Sequence, residues 1–344
     1  MNKRIIFLSI IIGVLCLGTV SYAGINAGFF GRDRIIENDP DVTKKVTTQI
    51  SDTKIAGDLV LSNSTEIADD GSLIYEVKNS SNGKFIGSFS YMPWLEKRPI
   101  YNILNNGDVI LGKEKIFSSK ENKILPLTQG IDIGVFDYDV NENNIAIIGK
   151  SNPDTAEISI VLKSIADGKY KTIDAFKYSA NNYPEVVYLG WGNGNKLYYD
   201  YFENNVPCIK VYDPETSTSK IFLENALNPQ ISPDGEKMVF EMIDSLNKSK
   251  QTISELQLFD LKSNSTITKL DGSRKIFWDT NYLIVKNVDD ANLIIYDLDN
   301  GSKIKEYAFD DQPYEVKIEN NGLKVKSFHF KDSTITENES TIMN

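Results

Sequence analysis

Cysteine, histidine and basic charge are all scarce in this 344-residue chain. There are two cysteines, Cys16 and Cys208, and Cys16 lies in a leader-like segment. The remainder therefore holds a single thiol and forms no internal disulfide, which fits an envelope without strong oxidative folding. The one histidine, His329, stands between Phe328 and Phe330 and reads as a strand residue. A Ser-His-Asp hydrolase needs a histidine base and a nucleophile elbow, and no Gly-x-Ser-x-Gly occurs. Histidine-rich zinc, iron or manganese centres are excluded by the same count. A Gly-rich phosphate loop is also missing. With 37 Lys and Arg against 48 Asp and Glu, the formal net charge is −11. That balance repels phosphate backbones and anionic lipid heads, so nucleic acid is not an expected partner.

Long apolar runs are confined to the start. Met1 to Ala23 carries Lys3 and Arg4, an uncharged stretch from Ile5 to about Val20, and Ser21-Tyr22-Ala23 before Gly24. Small residues flanking Tyr22 make a signal-peptidase site, and the apolar length suits secretion. The alternative is an uncleaved membrane anchor, since no charge falls between Arg4 and Arg32. The residues before Cys16 lack a lipoprotein pattern. Residues 24–45 read as a linker, rich in Gly, Asn, Asp and Lys. Beyond them no convincing amphipathic helix appears. Short runs of Tyr, Ile, Val and Phe take its place, so the fold class is all-β.

A short turn pattern recurs through residues 46–330. An apolar residue leads into a Gly, Asn or Asp turn at Ile67, Ile103, Val140, Trp191, Ile231, Trp278 and Ile318. Intervals between these leaders run from 36 to 51 residues. A period near forty built of short strands is that of propeller blades. A second element follows: Cys208 to Asp213, Leu256 to Asp260 and Leu293 to Asp297 each end an apolar run in Asp before a polar turn. Asp there can cap the turn through its own side chain. Seven four-stranded blades are expected, with six and eight as alternatives. N-terminal strands around Val46 to Leu61 are expected to complete the last blade, because an open ring leaves an unpaired sheet edge. Residues 331–344 read as a polar tail.

The stretch Ile231-Ser-Pro-Asp-Gly235 leading to Phe240, then Leu256 to Asp260, resembles the repeat of TolB-like β-propellers. The full motif occurs once, and degraded copies cover roughly Ile67 to Phe330. Trp at the leading position, as at Trp191 and Trp278, is common in that family. The resemblance implies a propeller fold and often a binding role. It implies no reaction, since propellers host many functions.

Residues with chemical potential are few. Asp137, Asp139 and Asn141 place oxygen ligands at alternate positions, as a calcium loop opens. Gly is missing at the sixth place and Ile148 stands where the bidentate Glu belongs, so a plain strand entering a hairpin is the competing reading. Paired acids such as Asp289-Asp290 and Asp310-Asp311 sit at turns and read as solvated. Trp191 and Trp278 read as packing between blades. Tyr91, Trp94 and Tyr183 lie in or beside Pro-containing connections and are the ligand-contact candidates. No catalytic residue and no cofactor is expected, calcium being the one cation the residues leave open.

These features describe an exported, non-catalytic propeller that serves as a protein or peptide interaction module at the bacterial cell envelope. It would touch a membrane only through an uncleaved N-terminal segment. The alternative is a carbohydrate or small-ligand binder, with calcium-dependent hydrolase or lyase activity. A structural envelope or spore component is a third reading.

Overall fold

The computed structural model describes residues 53–343, apart from 56–57, 68–71, 93–97, 152–156, 178–186, 205, 244–252, 272–274, 287–291, 310–311, 320–321 and 332–333. These residues form seven successive antiparallel sheets, six of four strands and one of three. The architecture is a β-propeller, as the turn repeat predicts.

The first sheet is β1 (Thr53–Lys54), β2 (Leu59–Ile67), β3 (Leu73–Asn79) and β4 (Phe85–Tyr91). The second is β5 (Tyr101–Ile103), β6 (Val109–Leu111), β7 (Lys115–Ser118) and β8 (Lys123–Pro126). The third holds β9 (Gly134–Val140), β10 (Asn144–Lys150), β11 (Glu157–Ser164) and β12 (Tyr170–Lys177). In the fourth are β13 (Leu189–Gly192), β14 (Lys196–Glu203), β15 (Val206–Asp213) and β16 (Thr218–Glu224). The fifth comprises β17 (Ala226–Ile231), β18 (Lys237–Ile243), β19 (Ile253–Asp260) and β20 (Ser265–Leu270). The sixth comprises β21 (Lys275–Trp278), β22 (Tyr282–Lys286), β23 (Leu293–Asp297) and β24 (Lys303–Tyr307). The last is β25 (Gln312–Glu319), β26 (Gly322–Lys331) and β27 (Thr334–Met343). The first five sheets lie in one compact unit, Thr48–Leu270, and the last two in another that includes Asp271–Asn344.

Burial follows strand position within a sheet. Second and third strands are covered on both faces: Ile145, Ile147, Ile148, Ile158 and Ile160 are all buried. That explains their near-continuous apolar runs in place of strict alternation. Fourth strands face outward, and four of the five residues of β24 are exposed. Each fully buried aliphatic or aromatic side chain contributes about 1.5–3 kcal/mol of transfer free energy.

The two halves of the sequence repeat bond to each other. Leu261, just after Asp260, donates its N–H to the Glu236 carbonyl in the turn that opens β18, at 2.9 Å. Ile165 does the same to Asn143, and Leu298 to Asn281. Asp260 accepts the backbone N–H groups of Lys262 and Ser263, and Asp297 those of Asp299 and Asn300. The capping role expected of these aspartates is what they perform.

Three expectations need correction. Ile103, Val140, Trp191, Ile231, Trp278 and Ile318 all lead the connection from first to second strand, but Ile67 leads the connection from second to third. The first sheet's own leader is Ile55, whose N–H donates to the Leu59 carbonyl. Residues from Lys54 to Leu61 do not complete the last blade. Thr53 and Lys54 pair with Leu61 and Val60 inside the first sheet, a local hairpin with little loop-closure cost. Finally, the expected polar tail contains β27, paired along its length with β26. Its Thr and Ile residues favour a strand despite their company of Glu, Asn and Ser.

Candidate functional site

The inner strands of the Thr48–Leu270 unit carry the most connected polar groups, and they start from Asp137 and Asp139 on β9. Alternation along a strand puts both carboxylates on one face. Arg98, entering from the connection after β4, lies across them. Its Nε donates to Asp137 Oδ1 at 2.8 Å, and one terminal nitrogen donates to Asp137 Oδ2 at 2.9 Å. The other terminal nitrogen reaches Asp139 Oδ1 at 3.1 Å. The acids also cross to the next sheet. Leu189 N–H donates to Asp137 Oδ2 at 3.2 Å and Trp191 N–H to Asp139 Oδ2 at 2.7 Å. Arg98 returns a bond to the Leu189 carbonyl at 2.5 Å. One guanidinium thus joins the second sheet's entry strand region, the third sheet and the fourth.

The electrostatics follow from this burial. Desolvation alone would lower the Arg98 pKa, but Asp137 and Asp139 more than offset it and hold the guanidinium further up than usual. Burial pushes the Asp139 carboxyl up, against the opposing pull of Arg98 and the Trp191 N–H. Asp137, Asp139 and Asn141 are the residues whose alternation matches the opening of a calcium loop. In the structure the two aspartates accept hydrogen bonds from a guanidinium and two backbone amides, because Arg98, far off in sequence, folds onto them. Asn141 Oδ1 accepts the N–H groups of Asn143 and Asn144 and so caps its turn. Among the described residues no group of three or more His, Cys, Asp or Glu is arranged to hold a metal ion.

The same stapling recurs one sheet on. Asp200, fully buried on β14, accepts Tyr188 N–H and Asn228 N–H, each at 2.7 Å. Asn228 sits at φ 60 within β17, beside a bulge in the β17–β18 register. Asn is among the few residues that tolerate that left-handed backbone. Nearer the outside, Asp174 on β12 takes the Tyr199 hydroxyl at 2.7 Å and Lys210 Nζ at 3.0 Å. Lys210 also stands 3.4 Å from the centroid of the Tyr201 ring.

Asp200, Glu241 and Lys286 were missed by sequence reasoning. Each is the fifth residue of its sheet's second strand, and each is buried. The signal was present: one charge inside Tyr-Tyr-Asp-Tyr-Phe, Val-Phe-Glu-Met-Ile and Leu-Ile-Val-Lys. Burial lowers the Lys286 pKa to about 8.

The contact candidates divide. Tyr91 is buried and donates its hydroxyl to the Arg98 carbonyl at 2.6 Å, so it supports the clasp and faces no solvent ligand. Trp94 and Tyr183 lie outside the described residues. Trp191 packs with Leu189, Leu197, Leu227 and Ile243 in one apolar cluster, the packing role read from its repeat position. Trp278 is only half-buried. His329 pairs with Thr336 in the β26–β27 ladder.

No family model and no curated protein matches the chain. Among solved structures it is similar to TolB from Acinetobacter baumannii, at 12% identity over 78% of this chain and 76% of that one, TM-score 0.39. It is similar to BamB from Moraxella catarrhalis at 12% identity over 76% and 80% of the two chains, TM-score 0.42. An oligogalacturonate lyase from Vibrio parahaemolyticus matches at 9% identity over 79% and 83%, TM-score 0.47. At these identities and scores the likeness carries no argument about family or activity.

Proposed function

We propose that this protein is a non-catalytic interaction module that binds a protein or peptide partner at the bacterial cell envelope. The observation that carries this reading is the engagement of the inner acids. Asp137, Asp139 and Asp200 have their carboxylate oxygens taken by Arg98 and by amides of neighbouring strands. Both oxygens of each carboxylate already accept hydrogen bonds from the protein itself. Recognition then falls to the connections between sheets, where scaffolds of this kind place variable contact residues. The leader with Lys3, Arg4 and Ser21-Tyr22-Ala23 supports export.

Photo-crosslinkers placed at positions 94 and 183, with one at the outer-strand position Lys220 as control, test the reading in envelope fractions. The expected result is a discrete protein adduct from a connection position, weakened by Trp94→Ala or Tyr183→Ala and absent at position 220. Binding of glycans on an array, with no protein adduct at either connection, overturns it in favour of a carbohydrate binder.

A further inference from the structure

Asparagine followed by glycine makes several of the turns, and the doublet carries a chemistry that the interaction role does not use. The backbone nitrogen after an Asn can attack the side-chain carboxamide carbon, and Gly has no Cβ to shield that nitrogen. Asn82-Gly83, Asn106-Gly107, Asn193-Gly194 and Asn300-Gly301 lie among the described residues, while Asn321 of a fifth doublet lies outside them. Attack needs a carboxamide free to swing and an amide nitrogen free of its own hydrogen bond. The partners of those two groups therefore rank the four doublets.

Three doublets hold both groups. Asn82 Oδ1 accepts Lys84 N–H at 2.9 Å, Asn106 Oδ1 accepts Asp108 N–H at 3.0 Å, and Asn300 Oδ1 accepts Ser302 N–H at 2.8 Å. Their glycine N–H groups donate to the carbonyls of Asn79, Leu104 and Asp297, each at 2.9 Å. Asn106 is tied further, its Nδ2 donating to Asp108 Oδ2 at 3.0 Å. Asn193-Gly194 differs on both counts. Among the described residues neither the Asn193 carboxamide nor the Gly194 N–H has a hydrogen-bond partner. Both residues are exposed, and open space lies where a Gly194 Cβ would stand. What is fixed is the Asn193 N–H, which donates to the Gly235 carbonyl at 2.8 Å and leaves the reacting atoms unrestrained.

We propose that the fold singles out Asn193 for spontaneous deamidation, converting it to aspartate and isoaspartate. Gly194 N bonds to Asn193 Cγ, the Cγ–Nδ2 bond breaks, and the amide proton leaves with Nδ2 as ammonia. Water then opens the cyclic imide. Opening between Cγ and N gives aspartate, and opening between the backbone carbonyl carbon and N gives isoaspartate, whose chain runs through Cβ and Cγ. No oxidant or reductant takes part. Either product puts a new carboxylate on the residue that docks Gly235 of the fifth sheet.

Ageing the full-length protein in mildly alkaline buffer tests this, with peptide mapping by mass spectrometry and chromatographic separation of the isoaspartate form. In the native protein Asn193 should convert at least about fivefold faster than Asn82, Asn106 or Asn300, the factor that one hydrogen bond supplies. In chain unfolded by guanidinium, where those bonds are lost, the four should convert at similar rates. Asn193→Gln should abolish the native-state conversion at this turn and leave the other three doublets unchanged. Native-state conversion at Asn82, Asn106 or Asn300 that matches or outpaces Asn193 overturns the proposal. A lead of Asn193 that survives unfolding overturns it too, since neighbouring residues and not the fold would then set the rate.

Discussion

At the scale of single residues, the turn Ser232 to Gly235 shows how little freedom the best-formed repeat has. Ser232 Oγ donates to Asp234 Oδ1 at 2.6 Å and accepts Lys237 N–H at 2.8 Å. Gly235 has φ +75, and a Cβ there would stand 2.7 Å from the backbone nitrogen of Asn193 in the preceding sheet. That same Asn193 N–H donates to the Gly235 carbonyl at 2.8 Å. Gly235→Ala should therefore cost at least about 1–2 kcal/mol for the left-handed backbone, with the contact adding to it. Denaturant midpoints of the two proteins measure this, and an unchanged midpoint would contradict the docking of the turn on Asn193. Arg98→Met leaves two carboxylates without their counter-charge and should cost about 3 kcal/mol at pH 7. The sign with pH follows from Asp139. Its folded pKa lies above the unfolded value, so its contribution to stability is full below the unfolded carboxylate range and is lost as pH rises through the folded pKa. Removing Arg98 takes away the opposing pull and moves that loss to higher pH. The deficit should shrink between pH 7 and pH 5, read from urea unfolding at both values. Cys208 is buried, and desolvation pushes its thiol up to about 11. It should resist thiol reagents at pH 8 in the native protein and react on unfolding, as followed by mass spectrometry of its peptide.

Elements in this protein are specified in pairs. An apolar leader with its turn sets the first hairpin, and in the fourth, fifth and sixth sheets the Asp that ends the third strand sets the last. In the fifth and sixth sheets the amide after that Asp, of Leu261 or Leu298, ties the two turns together. This grammar was legible wherever the turn kept Gly, Asn or Asp. It was misread at Ile67, because an apolar residue before Asp-Asp-Gly looks the same whether it leads the first connection or the second. Only pairing partners distinguish them. The stapling aspartates were half legible. Their positions stood out as charges in strands, but their partners did not. Asp137 and Arg98 are 39 residues apart, and Asp137 and Leu189 are 52 apart. No local rule reaches that far.

For the molecule as a whole, burial predicts a hierarchy of opening. Second and third strands, such as β10, β11 and β14, are covered on both faces, and fourth strands such as β24 are not. Native-state hydrogen exchange should show the slowest amides in β10, β11, β14 and β18 and faster ones in β16 and β24. Uniform protection across all four strand positions would contradict this account of where stability resides.

The amino-acid sequence alone determined that the chain is built of short strands, that the unit repeats near every forty residues, and that glycine, asparagine and aspartate make its turns. Those properties depend on neighbours within a few positions. Tertiary structure alone decided that Asp137 and Asp139 meet a guanidinium, that Tyr91 turns inward, and that the first sheet keeps Lys54 to Leu61. Each of those outcomes depends on which distant backbone amide or charge arrives at a given point, and hydrogen bonding in a buried site leaves room for only one set of partners.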